Sequence, residues 1–355
     1  MDPAGLLSGI GDDRLLDVER ELDAYFADAI ARAADHGPGF ARLWASLAEA
    51  TAGGKRFRPR LVCVAHDALG GSRGRDAAVV GAAFELLHTA LIVHDDVIDR
   101  DHVRRGAPNI AGAYGASARQ AGADDATADH AGLSAAVIAG DLALAGAHRI
   151  LDRTSLDSAM RERIHGLLDE AVFTAAAGEL ADLEYAIGVA VPRLDDVIEM
   201  EHLKTAVYSF EAPLAAGAVL ADATEAQVEA LRAFGREVGI AYQVVDDILG
   251  VFGDAAKTGK TVLGDLREGK RTVLIAAASD RDGWADASAG FGDPDLDEAG
   301  AERIRQHLLA SGALGVAREL ALVHAERGMA ALDHLPTAVR EALSPIAASV
   351  LGRVR

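Results

Sequence analysis

The chain of 355 residues is poor in cysteine (one), proline (nine) and aromatics (5%). The lone Cys63 rules out a disulfide framework or a thiolate zinc site within one chain. Few Tyr, Phe and Trp argue against a strand-rich fold, and abundant Ala with little Pro argues for an all-α one. Cations are also short: 35 Lys and Arg stand against 55 Asp and Glu, a formal charge of -20. Without a basic surplus no nucleic-acid partner is expected. No stretch of about 18 uncharged apolar residues occurs, so no spanning helix and no stable membrane anchor is expected. The start, Met1-Asp2-Pro3-Ala4-Gly5, lacks the basic-then-apolar pattern of a signal peptide, and a cytoplasmic location is expected.

Half the residues are hydrophobic, enough for a sizeable core. Apolar periodicity predicts helices over 14–34 and 40–50, then at roughly 60–69, 75–101, 132–150, 157–186, 194–220, 224–253, 271–280 and 297–311. Gly112 to His130 and Asp280 to Gly300, rich in Gly and Asp, read as loops. Neither is a convincing domain linker, so one helical domain over 1–355 is expected.

Two acidic clusters stand inside apolar runs. Leu86-Leu87-His88-Thr89-Ala90-Leu91-Ile92-Val93 leads to Asp95-Asp96-Val97-Ile98-Asp99, and Ile240-Ala241-Tyr242-Gln243-Val244-Val245 leads to Asp246-Asp247-Ile248-Leu249-Gly250. Acids are frequent enough here that three at fixed offsets arise by chance about once, which describes a solvated helix face. Chance does not explain the apolar flanks, since acids embedded in apolar helices are costly unless paired or metal-bound. On a helix, positions i, i+1 and i+4 share one face, so each cluster aims carboxylates at one point. Hard oxygen donors suit Mg²⁺, which in turn bridges to phosphate. A phosphorylated or diphosphorylated substrate is the first inference.

The scarce cations are grouped. Lys55, Arg56, Arg58 and Arg60 follow the Gly53-Gly54 break; Arg104-Arg105 lie just past the first acidic cluster; Lys257, Lys260, Arg267, Lys270 and Arg271 follow the second; Lys204-Thr205 is isolated in a helical run. Forked Arg donors and Lys point charges suit anions, and several separate groups suggest more than one anionic substrate group. His88 is seven residues before Asp95, two turns back on the same face.

Eight segments in order carry a resemblance: Gly53-Gly54-Lys55-Arg56-Phe57-Arg58-Pro59, Glu85-Leu86-Leu87-His88, His94 to Asp99, Arg104-Arg105-Gly106-Ala107-Pro108, Ala139-Gly140-Asp141, Lys204-Thr205-Ala206, Ala241 to Asp247, and Gly259-Lys260 with Asp265 to Thr272. The chain resembles the trans-isoprenyl diphosphate synthases of the polyprenyl synthetase family over about residues 50–275, most like a bacterial geranylgeranyl diphosphate synthase. The resemblance implies a single bundle of antiparallel helices around a central cavity. It also implies an enzyme that condenses isopentenyl diphosphate with an allylic diphosphate through Mg²⁺-assisted ionisation. By this resemblance Asp95, Asp96, Asp99, Asp246 and Asp247 would hold Mg²⁺, three ions in all, on the allylic diphosphate. Arg104, Lys204 and Lys260 would neutralise that group. Lys55, Arg58, His88 and Arg105 would hold isopentenyl diphosphate. Thr205 and Gln243 would face the developing cation. A homodimer is expected.

Departures are Gly250, where many members carry a third aspartate, Asn109 for a frequent Thr, and Glu179 for a frequent Gln. Asp254 is a candidate substitute for the missing acid. Product length is set, in the family, by side chains before the first motif. Ala90 and Leu91 leave that position open, Leu87 is two turns up, and Phe84 is the first bulky residue. At 5.4 Å per turn this predicts a floor beyond fifteen carbons and geranylgeranyl diphosphate as product, with farnesyl or geranylfarnesyl diphosphate as alternatives. A terpene cyclase of the same superfamily would not need the Lys55, Arg58, His88, Arg105 set. An HD-type phosphohydrolase, suggested by His66-Asp67 and His94-Asp95, leaves the grouped cations unexplained. A non-catalytic partner subunit would not need both acidic clusters.

Overall fold

The computed structural model describes residues 12–104, 106–253 and 263–354. The fold is all-α, as composition predicts; among the described residues the one sheet is a two-stranded hairpin, Val103–Arg104 (β1) with Ala107–Pro108 (β2). Two compact units divide the chain, one of residues 12–168 with 215–223, the other of 169–214 with 224–354.

The first unit contains α1 (Asp12–Ala34), α2 (Pro38–Thr51), α3 (Phe57–Ala68), α4 (Gly74–Ile98), α5 (Ile110–Gln120) and α6 (Asp125–Ile150). Its centre is α4, nearly all of whose residues from Gly74 to Leu87 are buried, with Phe84, Leu86 and Leu87 among the largest fully buried side chains. By length and composition α4 and the stretch Asp125–Arg153 would each suffice to cross a membrane; 78% of the apolar window of α4 is buried inside the protein, which is what a central core helix requires.

The expected loop at Gly112 to His130 is mostly helix, α5 and the start of α6. Asn109 caps α5 by accepting from the Gly112 N–H, and Asp124 caps α6 by accepting from the Thr127 N–H. The glycines that suggested a loop permit close packing instead. A Cβ on Gly132 would strike the Ala111 carbonyl, and one on Gly112 the His102 carbonyl.

The second unit contains most of α7 (Ser158–Ala186), then α8 (Leu194–Glu201), a π-helical segment His202–Glu211, and α10 (Glu225–Phe252), with α9 (Ala212–Leu220) in between. It continues with α11 (Gly264–Glu268), α12 (Val273–Ser279), α13 (Trp284–Ala287), α14 (Glu298–Ala310), α15 (Ala313–Ala331) and α16 (Thr337–Val354). Thr224 and Gln227 form a reciprocal capping box that starts α10. The expected helix at 194–220 is present but runs α, π, α. The Asp280 to Gly300 region is loop and turn apart from α13 and the first turn of α14.

Candidate active site

In the first unit, α4 carries His88, Asp95 and Asp96 and ends with Asp99 at its C-cap. The β1–β2 hairpin turns through Gly106 (φ 76) and folds Arg104 back onto the helix end. The Arg104 guanidinium donates to Asp96 Oδ1 (Nε, 2.7 Å) and to Asp95 Oδ2 (Nη2, 3.1 Å). Asn109 donates to the Asp101 carbonyl at 2.7 Å, tying the hairpin exit to the same turn. Burial pushes the Asp96 carboxyl above the ordinary carboxylate range, with Arg104 opposing and Asp95 adding to the rise. Arg104 thus balances two adjacent carboxylates that would otherwise repel.

Arg56, grouped by sequence with Lys55 and Arg58, has a different task. It is buried in a left-handed backbone conformation (φ 50) and donates to Glu19 (2.5 and 2.9 Å), to the Thr51 carbonyl (2.6 Å) and to Glu85 (3.0 Å). Glu85 lies on α4 three residues before His88. The clamp therefore fixes the loop with exposed Lys55, and the first turn of α3 with half-buried Arg58, to the helix that carries His88 and the first aspartates. His94 lies over Gly140 of α6, where a Cβ would strike its ring, and its Nε2 is 3.5 Å from Asp141. His66 has both ring nitrogens engaged, Nδ1 with Asp67 at 2.7 Å and Nε2 accepting from the Arg73 N–H at 3.0 Å. Among the described residues neither histidine joins a group of three side chains that could hold a metal ion.

In the second unit the π-helical segment carries Lys204 and Thr205. Such wide turns add a residue per turn and re-aim side chains, frequently at functional sites. His202 Nε2 meets Glu211 Oε1 at 2.5 Å, spanning the segment end to end, while His202 Nδ1 meets Arg236 at 3.2 Å. Lys204 Nζ donates to Asp182 (2.6 Å) and Glu179 (3.1 Å), both on α7. Gly178 makes this approach close: a Cβ there would lie 2.6 Å from Lys204 Cα. Gly235 and Gly239 of α10 do the same on the other side, against Glu211 and Ala206. The departure at Glu179 thus supplies a carboxylate to Lys204.

On α10, Gln243 Nε2 donates to Asp247 Oδ1 at 3.0 Å, so its amide orients a motif carboxylate. Asp247 Oδ2 is buried without a hydrogen-bond partner, and so are both carboxylate oxygens of Glu201. Burial raises both carboxyls above their ordinary range; the contact between the two side chains holds Asp247 down and pushes Glu201 up, Gln243 also opposes the rise at Asp247, Asp265 and Asp246 add to it there, and Asp182 adds to the rise at Glu201. Local sequence reading misses Glu201, although an acid in the run Val197 to Leu203 is the same signal that exposed the two aspartate clusters. Lys260, Lys257 and Asp254 lie outside the described residues, as does Arg105.

These donors fit Mg²⁺. They are hard oxygens, and a buried Asp247 oxygen without a donor is a place for a cation. Among the described residues no three acids or histidines meet at one metal point, so the expected convergence of three carboxylates is not preassembled. Mg²⁺ bound through one or two carboxylates, with water and phosphate completing its shell, needs no such cage.

The model of the polyprenyl synthetase family matches residues 42–288. The chain belongs to this family. It is 35% identical over 227 residues to a geranylgeranyl diphosphate synthase of Sulfolobus acidocaldarius, spanning 63% of each chain. It is 32% identical over 319 residues to a geranylfarnesyl diphosphate synthase of Aeropyrum pernix, 89% of this chain and 92% of that one. The crystal structure of a Corynebacterium glutamicum geranylgeranyl pyrophosphate synthase, complexed with isoprenyl diphosphate and magnesium, superposes with a TM-score of 0.88 at 29% identity over 99% of this chain and 100% of that one. The isoprenoid-synthase fold and the reading as a prenyl-transferring enzyme are both borne out.

Proposed function

We propose that the chain condenses isopentenyl diphosphate with an allylic diphosphate and releases diphosphate, giving geranylgeranyl diphosphate. The observation that carries this is the pairing of grouped cations with buried, underpartnered carboxylates, above all Arg104 across Asp95 and Asp96 and Asp247 with its unpartnered oxygen. In this reading Asp95, Asp96 and Asp99 of the first unit, and Asp246 and Asp247 of the second, would hold Mg²⁺, three ions in all, which would supply Lewis-acid assistance to the departure of diphosphate. The residues do the rest. Arg104, Lys204 and Lys260 bind the allylic diphosphate; Lys55, Arg58, His88 and Arg105 bind isopentenyl diphosphate. Thr205 and Gln243 direct oxygen dipoles at developing positive charge.

Length control rests on α4. Phe84, Leu87 and Ala90 are all buried along it, and Phe84 is the first bulky residue back from Asp95 on that face. A homodimer is proposed because α6 exposes Val137 and Ile138, and α7 exposes Phe173 and Leu180, apolar side chains that a partner would cover. We place the protein in the cytoplasm, where a lone buried thiol stays reduced. The test supplies dimethylallyl, geranyl or farnesyl diphosphate with labelled isopentenyl diphosphate and reads chain length after phosphatase treatment. A twenty-carbon alcohol supports the assignment. Hydrocarbon formed from an allylic diphosphate alone would instead indicate a cyclase.

A further inference from the structure

The π-helical segment begins at His202 and ends at Glu211, both buried, and the two side chains meet at 2.5 Å, Nε2 to Oε1. They are 9 residues apart in sequence. On an α-helix that separation is about two and a half turns, which puts two side chains on opposite faces. A π turn takes about 4.4 residues, so the same separation makes about two whole turns and returns to one face. The contact is therefore open to the π register and closed to the α register. The segment packs on α10. A Cβ on Gly235 would stand 2.8 Å from Glu211 Cα, and one on Gly239 would stand 2.8 Å from Ala206 Cα, so both glycines admit the segment's backbone. Arg236, beside Gly235, brings Nη2 to 3.2 Å from His202 Nδ1. A guanidinium only donates, so Nδ1 accepts, and Nε2 carries the proton that is given to Glu211. Glu199 Oε2 is 3.6 Å from the same Nδ1, beyond hydrogen-bond distance.

We infer that His202 and Glu211, with Arg236 fixing the ring, are positioning residues that hold this segment in the π register and so aim Lys204 and Thr205. The inference rests on the reading of the chain as a prenyl diphosphate synthase. A π segment is rare, so contacts beyond the backbone must select it over α. The His202–Glu211 bond is such a contact, because it exists in one register only. Lys204 and Thr205 lie inside the span it brackets. The lysine faces α7, where Gly178 admits its backbone and Glu179 and Asp182 accept from its ammonium. One side of the segment is thus locked on α10 while another presents the lysine to α7. Without the lock the segment is free to tighten to α. Tightening turns the residues after His202 about the helix axis and carries the Lys204 ammonium away from Glu179 and Asp182.

The experiment compares two variants of the full-length protein with wild type by crystal structure, steady-state kinetics and thermal unfolding. The first joins His202→Leu to Glu211→Met. It removes both polar partners at once and strands neither, so the unfolding temperature should stay near that of wild type. Its crystal structure is expected to show 202–211 as α-helix, with Lys204 Nζ away from Asp182. Its kcat with an allylic diphosphate should fall about a hundredfold, the scale of a 1 Å misplacement. Its KM for isopentenyl diphosphate should stay within about twofold, because Lys55, Arg58 and His88 belong to the first unit, and a general loss of folded structure would not give that split. The second variant, His202→Gln, should keep most of the wild-type rate and the π register, since its amide can accept from Arg236 and donate to Glu211 as the ring does. A double variant that keeps the π register, or that turns α and keeps the wild-type kcat, would overturn the inference. So would a His202→Gln variant as slow as the double one. A wild-type protein that condenses no allylic diphosphate would overturn the synthase reading instead, and the two crystal structures would still show whether the pair sets the register.

Discussion

Gly178 of α7 lies against the backbone of Lys204, so closely that a Cβ at 178 would stand 2.6 Å from Lys204 Cα and 2.8 Å from its Cβ. The neighbouring Glu179 and, one turn on, Asp182 hold the Lys204 ammonium. One helix thus sets both the place of the lysine backbone and the direction of its charge.

Gly178→Ala should therefore displace Lys204. Since the obstacle is backbone, the helices must separate. The expected result is a loss of about a hundredfold in kcat/KM for the allylic substrate, the scale associated with a 1 Å misplacement of a catalytic group. Steady-state kinetics check it, with Gly166→Ala as a control, since a Cβ at Gly166 meets nothing within 4 Å.

Arg56 holds the Gly53-Gly54-Lys55 loop by its bonds to Glu19, Thr51 and Glu85. Arg56→Ala strands Glu85 as a buried carboxylate and should destabilise the fold by about 3 kcal/mol, as loss of one member of a buried pair does. Chemical denaturation measures this. Exposed Lys55→Ala should leave stability within about 0.5 kcal/mol of wild type.

Burial pushes the Cys63 thiol from 9.0 up to about 12. The native state then keeps its proton through the window between those values while the unfolded chain releases it, so this contribution to stability declines as pH rises from about 9 to 12. Native protein should resist alkylation at pH 8 and react once unfolded. Cys63→Ala should lose less stability than wild type between pH 8 and pH 10, as followed by thermal unfolding.

Phe84 is 1% exposed within α4. Phe84→Ala should lengthen the product beyond twenty carbons while destabilising the fold by about 3 kcal/mol through the cavity it leaves. Product chain length after phosphatase treatment reads the first effect, and an unchanged distribution contradicts the assignment of the floor to Phe84.

Much of the candidate site is legible in the sequence because its chemistry conflicts with its surroundings. Asp95, Asp96, Asp246 and Asp247 stand out as acids in apolar helices, and Lys204 as a cation in one. Partners distant along the chain are not legible. Nothing near Arg56 marks it as different from Lys55 or Arg58; its partners Glu19 and Glu85 are 37 and 29 residues away. The π-helical segment has the same apolar pattern as an α-helix over so short a length, so Lys204 and Thr205 read as an ordinary helix. The region of α5 misleads for another reason: glycines that signal loops locally are required there for close helix contact.

The central claim is a metal-dependent condensation of two diphosphates. Incorporation of labelled isopentenyl diphosphate into a longer allylic product, measured with and without Mg²⁺, tests it most directly. The account predicts incorporation only when both substrates and Mg²⁺ are present, abolition by EDTA, and recovery on adding excess Mg²⁺. Incorporation that persists in EDTA, or none with any allylic primer, would contradict it.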